Sequence, residues 1–224
     1  MSSQMQKRPA PDPLAIETIS RVPQQGRSKA SFQRMVAAAR ALMIEGGSEE
    51  FTLLDVSKHG NVSIGSIYLR FESKDNLVRA VIGTALEEIA ASEEQMLEKL
   101  LARSTNLGEF VLGYVNDYAE VLRSNAILLR LAMLRAEHDP SVAGPGKRAA
   151  EHSAAQSIAA ILRFADEIGG DAELKANSAY NIIFAALARE LSLGSTGESA
   201  RQYDWDLLKR ELGKMCLAYL RADI

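Results

Sequence analysis

Cysteine is almost absent from this chain: Cys216 is the only one in 224 residues. That excludes a disulfide framework within the chain and suits a reducing compartment. No apolar run approaches the ~20 residues that a bilayer span needs. The opening MSSQMQKRPAPDP lacks the apolar centre of a secretory leader. These absences predict a soluble cytoplasmic protein with no membrane partner. Catalytic signatures are missing too. GPGKR lacks the spacing of a phosphate-binding loop and follows no strand. GSTGES reads as a linker, since a nucleophile elbow needs a strand-to-helix turn. No His, Cys, Asp and Glu grouping has metal-ligand spacing, and His59, His138 and His152 read as surface residues. The expectation is a protein that is not an enzyme and holds neither metal nor cofactor.

Cations are also in the minority overall, and a formal net charge of −3 by itself argues against a nucleic-acid partner. Its distribution points the other way. Residues 1–79 hold 11 Lys and Arg against 8 Asp and Glu, and the remainder holds 15 against 21. A weakly basic head therefore sits on an acidic body.

What is present is helical periodicity. Residues 1–25, with Pro9, Pro11, Pro13 and Pro23 among Ser and Gln, read as a mobile arm. Its basic residues, and Arg27 and Lys29 just beyond, are candidates for phosphate contact. Over 28–45, Phe32, Met35, Val36, Ala39, Leu42 and Met43 recur at three- and four-residue spacing, and Gly46-Gly47 ends that helix. Thr52, with Asp55 three residues on, forms a capping box for a short second helix. Gly60-Asn61 turns the chain, because Asn tolerates left-handed backbone. Ser63 caps a third helix to about residue 70, and Ser73 caps a long one to about residue 102. Further helices are expected over 107–123, 125–137, 148–168, 172–193 and 203–221. HDPSVAGPG reads as a break and GSTGES as a linker. With no strand-period segment of length and no internal repeat, the fold class is all-α: an N-terminal three-helix unit on a larger helical body.

Three helices within eighty residues, the last two joined by Gly60-Asn61-Val62, spell a helix-turn-helix. Val56, Val62, Ile67 and Phe71 converge on the apolar face of the first helix. Ser63, Ile64, Gly65, Ser66, Tyr68, Leu69 and Arg70 are left outward or at the rim. Glycine inside a helix costs ~1 kcal/mol relative to alanine. A compensating gain at Gly65 is close approach of bare backbone to DNA, because a recognition helix offers its N-terminal turns to base edges. Ser63 and Ser66 add short hydrogen-bonding groups there, Tyr68 a hydroxyl for a phosphate oxygen, and Lys74 a positive charge beside another phosphate.

The segment GRSKASFQRMVAAARALMIEGGSEEFTLLDVSKHGNVSIGSIYLRFESKDNLVRAVI, residues 26–82, resembles the DNA-binding domain of TetR (tetracycline-repressor-like) transcriptional regulators. The alanine-rich first helix, Gly46, the FT entry and the VS-x-GS-x-Y-x-RF-x-SK-x-x-L run carry the likeness. The resemblance implies that residues 26–82 bind DNA and that residues 83–224 form a helical domain for ligand binding and dimerisation. It implies an Ω-like homodimer on a palindromic double-stranded operator, released when a small-molecule effector binds the body. By the same resemblance Thr52, Ser63, Ser66, Tyr68 and Lys74 contact the DNA backbone, while Ile64, Gly65 and Arg70 lie near bases. The chain departs from the family at Asn61, Ile64 and Glu72. Only Arg70 is charged on the recognition helix, so phosphate and shape contacts are expected to carry most of the affinity.

The last two helices are the dimer candidates, through apolar positions that include Ile182, Ile183, Ala186, Leu187, Leu208, Leu212, Met215 and Tyr219. Phe110, Tyr114, Tyr118, Met133, Phe164 and Phe184 stand at helical spacing, where such residues usually form core. The family resemblance makes the central helices a cavity wall instead, with Tyr114, Asn116, Tyr118, Arg130 or Asn181 as polar anchors. Two alternatives stay open: a regulator of this architecture that answers to a protein partner or to nothing, and a helical enzyme.

Overall fold

Apolar residues at helical spacing, most often opened by a short polar cap, define the helices of the computed structural model, which describes residues 26–194 and 203–223. The chain runs through α1 (Gly26–Gly46), α2 (Leu53–His59), α3 (Ile64–Tyr68), α4 (Lys74–Arg103), α5 (Leu107–Ser124) and α6 (Ala126–Ala136). It continues through α7 (Pro140–Ile161), extended by a 3-10 segment (Leu162–Glu167), then α8 (Ala172–Glu190) and α9 (Trp205–Arg221). Among the described residues there is no strand, so the fold is all-α. The arm at 1–25 and most of the GSTGES linker lie outside the described residues.

Caps set the helix starts. Thr52 and Asp55 close a reciprocal capping box at α2, and Ser63 and Ser73 accept from the backbone N–H three residues on at α3 and α4. Asn61 takes φ of +47°, the left-handed conformation that lets the chain reverse between α2 and α3.

Two cores result. One gathers Met35, Ala39 and Met43 of α1, Val56, Val62, Ile67 and Phe71, and the first turns of α4, with Phe32 stacked on Phe71 at 5.7 Å between ring centroids. It runs on without a gap into Leu128, Leu131 and Val142 of α6 and α7. The second fills the body between the far half of α4, α5, α7, α8 and α9. There Glu120 of α5 accepts from Trp205 Nε1 at 2.8 Å and Lys209 Nζ at 2.7 Å, fastening α9 to the bundle. Buried Lys175 of α8 donates to the carbonyls of Tyr219 and Ala222 at the end of α9, where a cation complements the helix dipole. Cys216 lies in this core, and burial pushes its thiol up to about 11, so it is a packing residue.

The expected break at HDPSVAGPG is overturned. Pro140 opens α7 at its first position, where a missing N–H costs nothing, and Asp139 caps it by accepting from Ser141 N at 3.1 Å. Pro145 sits inside the helix. Its neighbour Gly144 has no Cβ to meet the proline ring, which removes part of the usual clash. At the other end α7 tightens into the 3-10 segment with Phe164 off helical geometry, so the stretch expected as one helix to residue 168 is two. The helix expected to reach residue 193 stops at Glu190 in a turn with Ser192 and Gly194 at positive φ.

Candidate functional site

One end of the molecule is built to present a small surface. Ser63, Ile64, Gly65, Tyr68 and Leu69 are exposed on α3, Ser66 and Arg70 are half-buried at its rim, and Ile67 anchors the helix to the core. Ser63 Oγ accepts from Ser66 N at 3.1 Å and lies 2.7 Å from Ser66 Oγ. One hydroxyl proton of that pair is therefore not used within it. Tyr68, 61% exposed, keeps its hydroxyl in solvent. An added Cβ at Gly65 would meet no atom within 4 Å. Packing therefore gives no reason for glycine there.

Thr52 stands differently. Its N–H and its hydroxyl both donate to Asp55 Oδ2, at 2.9 and 2.6 Å, so both donors are taken up in orienting α2. Those hydrogen bonds hold the Asp55 carboxyl below its ordinary range. Lys74 occupies the first position of the 30-residue α4, with its ammonium 4.9 Å from the Phe51 ring centroid. A cation at a helix N-terminus opposes the helix dipole. A nearby anion such as phosphate reverses that balance. Arg27 lies in the first turn of α1, and its side chain is outside the described set.

A second feature lies in the body. A cavity of about 440 Å³ opens between α4, α5, α6, α7 and α8. Tyr118, Met133, Asn181 and Phe184 of the expected pocket residues line it. Phe110, Tyr114 and Phe164 do not; they pack in the body core, with Phe110 stacked on Tyr114 and in contact with Phe164. Arg130 and Asn116 also lie outside the lining.

The most unusual lining residue is Glu93, which sequence reasoning missed. It is 8% exposed on a face of α4 otherwise made of Leu86, Ile89, Leu97 and Leu100. Burial pushes its carboxyl up to about 7, against weaker opposing effects of Ser153 and His152. Ser153 Oγ and Tyr114 Oη are buried without hydrogen-bond partners. Burial also raises the Tyr118 phenol.

Between surface and cavity lies a group of ions, also missed. Arg135 near the end of α6 is 6% exposed. Its guanidinium donates to Glu49 before α2 at 2.5 Å, to Asp75 in the first turn of α4 at 2.7 Å, and to the α7 cap Asp139 at 2.9 Å. Arg79 of α4 donates to the same Asp139 oxygen at 2.7 Å. Desolvation alone would lower the Arg135 pKa, but its hydrogen bonds to Asp75 and Asp139, with the charges of Glu49 and Asp75, outweigh it and raise it. Asp75 and Asp139 are held below their ordinary range. Arg135 thus ties α6 and α7 to the helix-turn-helix.

The dimer candidates divide. Ile183, Leu187 and Leu212 belong to their own core, and Ala186, Leu208 and Tyr219 are partly covered. Ile182 is 52% and Met215 68% exposed, and Leu174 on α8 is exposed as well. Among the described residues no group of His, Cys, Asp and Glu is arranged to hold a metal, and no helix is long and apolar enough to cross a membrane.

Comparison with known proteins places this geometry. Residues 35–81 match the family model of bacterial regulatory proteins, tetR family. Among solved structures, one from Mesorhizobium loti described as a TetR-family transcriptional regulator is 19% identical, with a TM-score of 0.71 over 88% of this chain and 98% of that one. The fatty acid degradation regulator FadR from Bacillus halodurans is 15% identical, with a TM-score of 0.61 over 89% and 99%. A chain from Saccharomonospora viridis, described as a transcriptional regulator and solved with choline, is 15% identical, with a TM-score of 0.65 over 84% and 95%. No curated protein matches the chain. Residues 35–81, which hold the helix-turn-helix, thus match the tetR family of bacterial regulatory proteins, and the chain shares the overall fold of those solved structures.

Proposed function

We propose that this protein is a homodimeric repressor whose hold on a palindromic operator is released when a small molecule enters the body cavity. One observation carries the reading. The helices that wall the cavity, α4, α6 and α7, also supply Asp75, Arg79, Arg135 and Asp139, which fasten the DNA-reading unit to the body. A ligand that prefers a different spacing of α6 and α7 shifts Arg135 against Glu49 and Asp75, and so tilts the reader. Two readers must sit ~34 Å apart to enter successive major grooves. A small tilt in each protomer therefore costs contacts twice. The ligand moves the equilibrium only by its difference in affinity for the two arrangements.

On the DNA side, Ser63, Ser66, Tyr68 and Lys74 serve phosphates. Ile64, Gly65, Leu69 and Arg70 approach base edges, with Arg27 at the flank. Thr52 works through its capping box, fixing α2 under the recognition helix. Exposed Leu174, Ile182 and Met215 on α8 and α9 supply the apolar centre of the dimer contact, since each protomer leaves them in water.

Fluorescence anisotropy on the DNA upstream of the protein's own coding sequence tests this. Saturable binding by a dimer, weakening steeply with salt, is expected. Tyr68→Ala with Lys74→Ala should weaken binding about tenfold or more on every sequence alike, because phosphate contacts carry no sequence information. Binding that ignores both salt and this double substitution overturns the assignment.

A further inference from the structure

The cavity's chemistry narrows what it accepts; this step rests on the ligand-binding reading above. Its lining is largely hydrocarbon, which suits an apolar molecule. Three rings form a row along one wall: Tyr118 to Tyr180 at 6.4 Å and Tyr180 to Phe184 at 6.3 Å between centroids. Glu93 lies among the same lining residues, more than nine-tenths buried, and among the described residues it has no ion-pair partner. The lining's one basic residue, Lys147, is exposed at the edge and lies 3.7 Å from Glu151.

We infer that the effector is a lipophilic organic cation, whose positive nitrogen sits against the Glu93 carboxylate and the aromatic row while its hydrocarbon part fills the remaining space. An anionic ligand finds no buried cation here and would be forced beside a carboxylate. A neutral ligand leaves Glu93 as costly as before. A cation removes the cost of the buried carboxylate and gains from the ring faces. Burial pushes Glu93 up to about 7 in the empty cavity. An arriving cation favours the ionised form and releases the proton to solvent.

The test uses three probes of one tail length on the full-length protein at about pH 8, where the empty-site carboxyl is mostly ionised: octyltrimethylammonium, octanol and octanoate. Calorimetry and thermal shift should show the ammonium binding about tenfold or more tighter than octanol, with octanoate weakest. Glu93→Gln should erase the preference for the ammonium while keeping octanol affinity, which also reports that the cavity is intact. Wild-type protein alone already decides the matter, should the variant fold poorly. If octanol or octanoate binds as well as the ammonium, the cation inference falls and the ligand-binding reading stands. If none of the three binds, both fall. An ammonium affinity unmoved by Glu93→Gln also overturns the inference.

Discussion

Arg135 and Glu93 are both ionisable, both nearly out of water at 6% and 8% exposure, and their surroundings are opposite. Arg135 meets three carboxylates from three parts of the chain. Glu93 meets apolar side chains, phenols and the Ser153 hydroxyl. Taking a charge out of water costs several kcal/mol unless partners restore its hydrogen bonds. The end that holds the DNA reader has those partners within the chain. The cavity end lacks them, and burial there keeps the Glu93 carboxyl protonated to about 7 instead. A satisfied buried ion is a joint; an unsatisfied one facing a cavity is where the proposed effector would gain most.

The largest effect should come from breaking the joint. Arg135→Ala leaves Asp139 buried with Arg79 as its remaining cation, and removes the same partner from half-exposed Glu49 and exposed Asp75. Removing one partner of a buried pair costs about 3–5 kcal/mol. The surviving Arg79 contact argues for the low end of that range. Urea unfolding checks it, and a loss under about 1 kcal/mol would mean that the guanidinium contributes little beyond packing. The same variant should retain the probe affinities of the cavity while its DNA affinity no longer responds to them.

Glu93 should show itself in the pH dependence of stability. In the folded chain its carboxyl keeps the proton to about 7; in the unfolded chain it loses it near the ordinary 4.5. Between those values the native state binds one proton more, so the contribution of Glu93 to stability is full below pH 4.5 and is lost as pH rises through 7. A shift of that size corresponds to roughly 3 kcal/mol. Titratable groups near the carboxyl are Tyr114 and Tyr118 from α5, His152 from α7 and Tyr180 from α8, with Lys147 and Glu151 at the cavity edge; the lining residues of α6 are apolar. Glu93→Gln should flatten the slope in unfolding curves between pH 5 and about 8, and His152→Gln should leave it. A slope that survives Glu93→Gln belongs to another group.

The two ends also differ in how far the sequence disclosed them. The reader was legible because its determinants are local. Thr52 with Asp55, Ser63 with Ser66, and Ser73 with Asn76 each act over three residues, and Asn61 marks the turn within one. Arg135 was not legible: Asp139 lies four residues on, but the partners that tie it to the helix-turn-helix lie 86 and 60 residues away. The cavity is assembled from five helices, so spacing along any one of them cannot separate Tyr118, which lines it, from Tyr114, one turn away in the core. Pro145 misled because the chain around it looks like a loop, while Gly144 relieves the clash and Asp139 with Pro140 starts the helix. A signal for Glu93 did exist: a lone carboxylate on the stripe Leu86, Ile89, Leu97, Leu100.

The smallest effects on stability, and the sharpest on function, concern two glycines five residues apart. A Cβ on Gly60 would lie 3.1 Å from Ala38 Cβ and from the carbonyl oxygens of Arg34 and Val56. Two of those three are backbone, so Gly60→Ala must push α1 and α2 apart, at a cost of about 1–2 kcal/mol. A Cβ on Gly65 meets open space. Gly65→Ala should therefore leave the melting temperature unchanged or raise it, by no more than the roughly 1 kcal/mol that alanine gains in a helix. Its operator affinity should nevertheless fall about tenfold or more, because the methyl group projects into the space that DNA must occupy. Gly60 is glycine for the fold; on the proposed function, Gly65 is glycine for the partner. A Gly65→Ala protein that melts normally and still binds its operator with full affinity would remove DNA from the explanation of that residue, since nothing among the described residues supplies another.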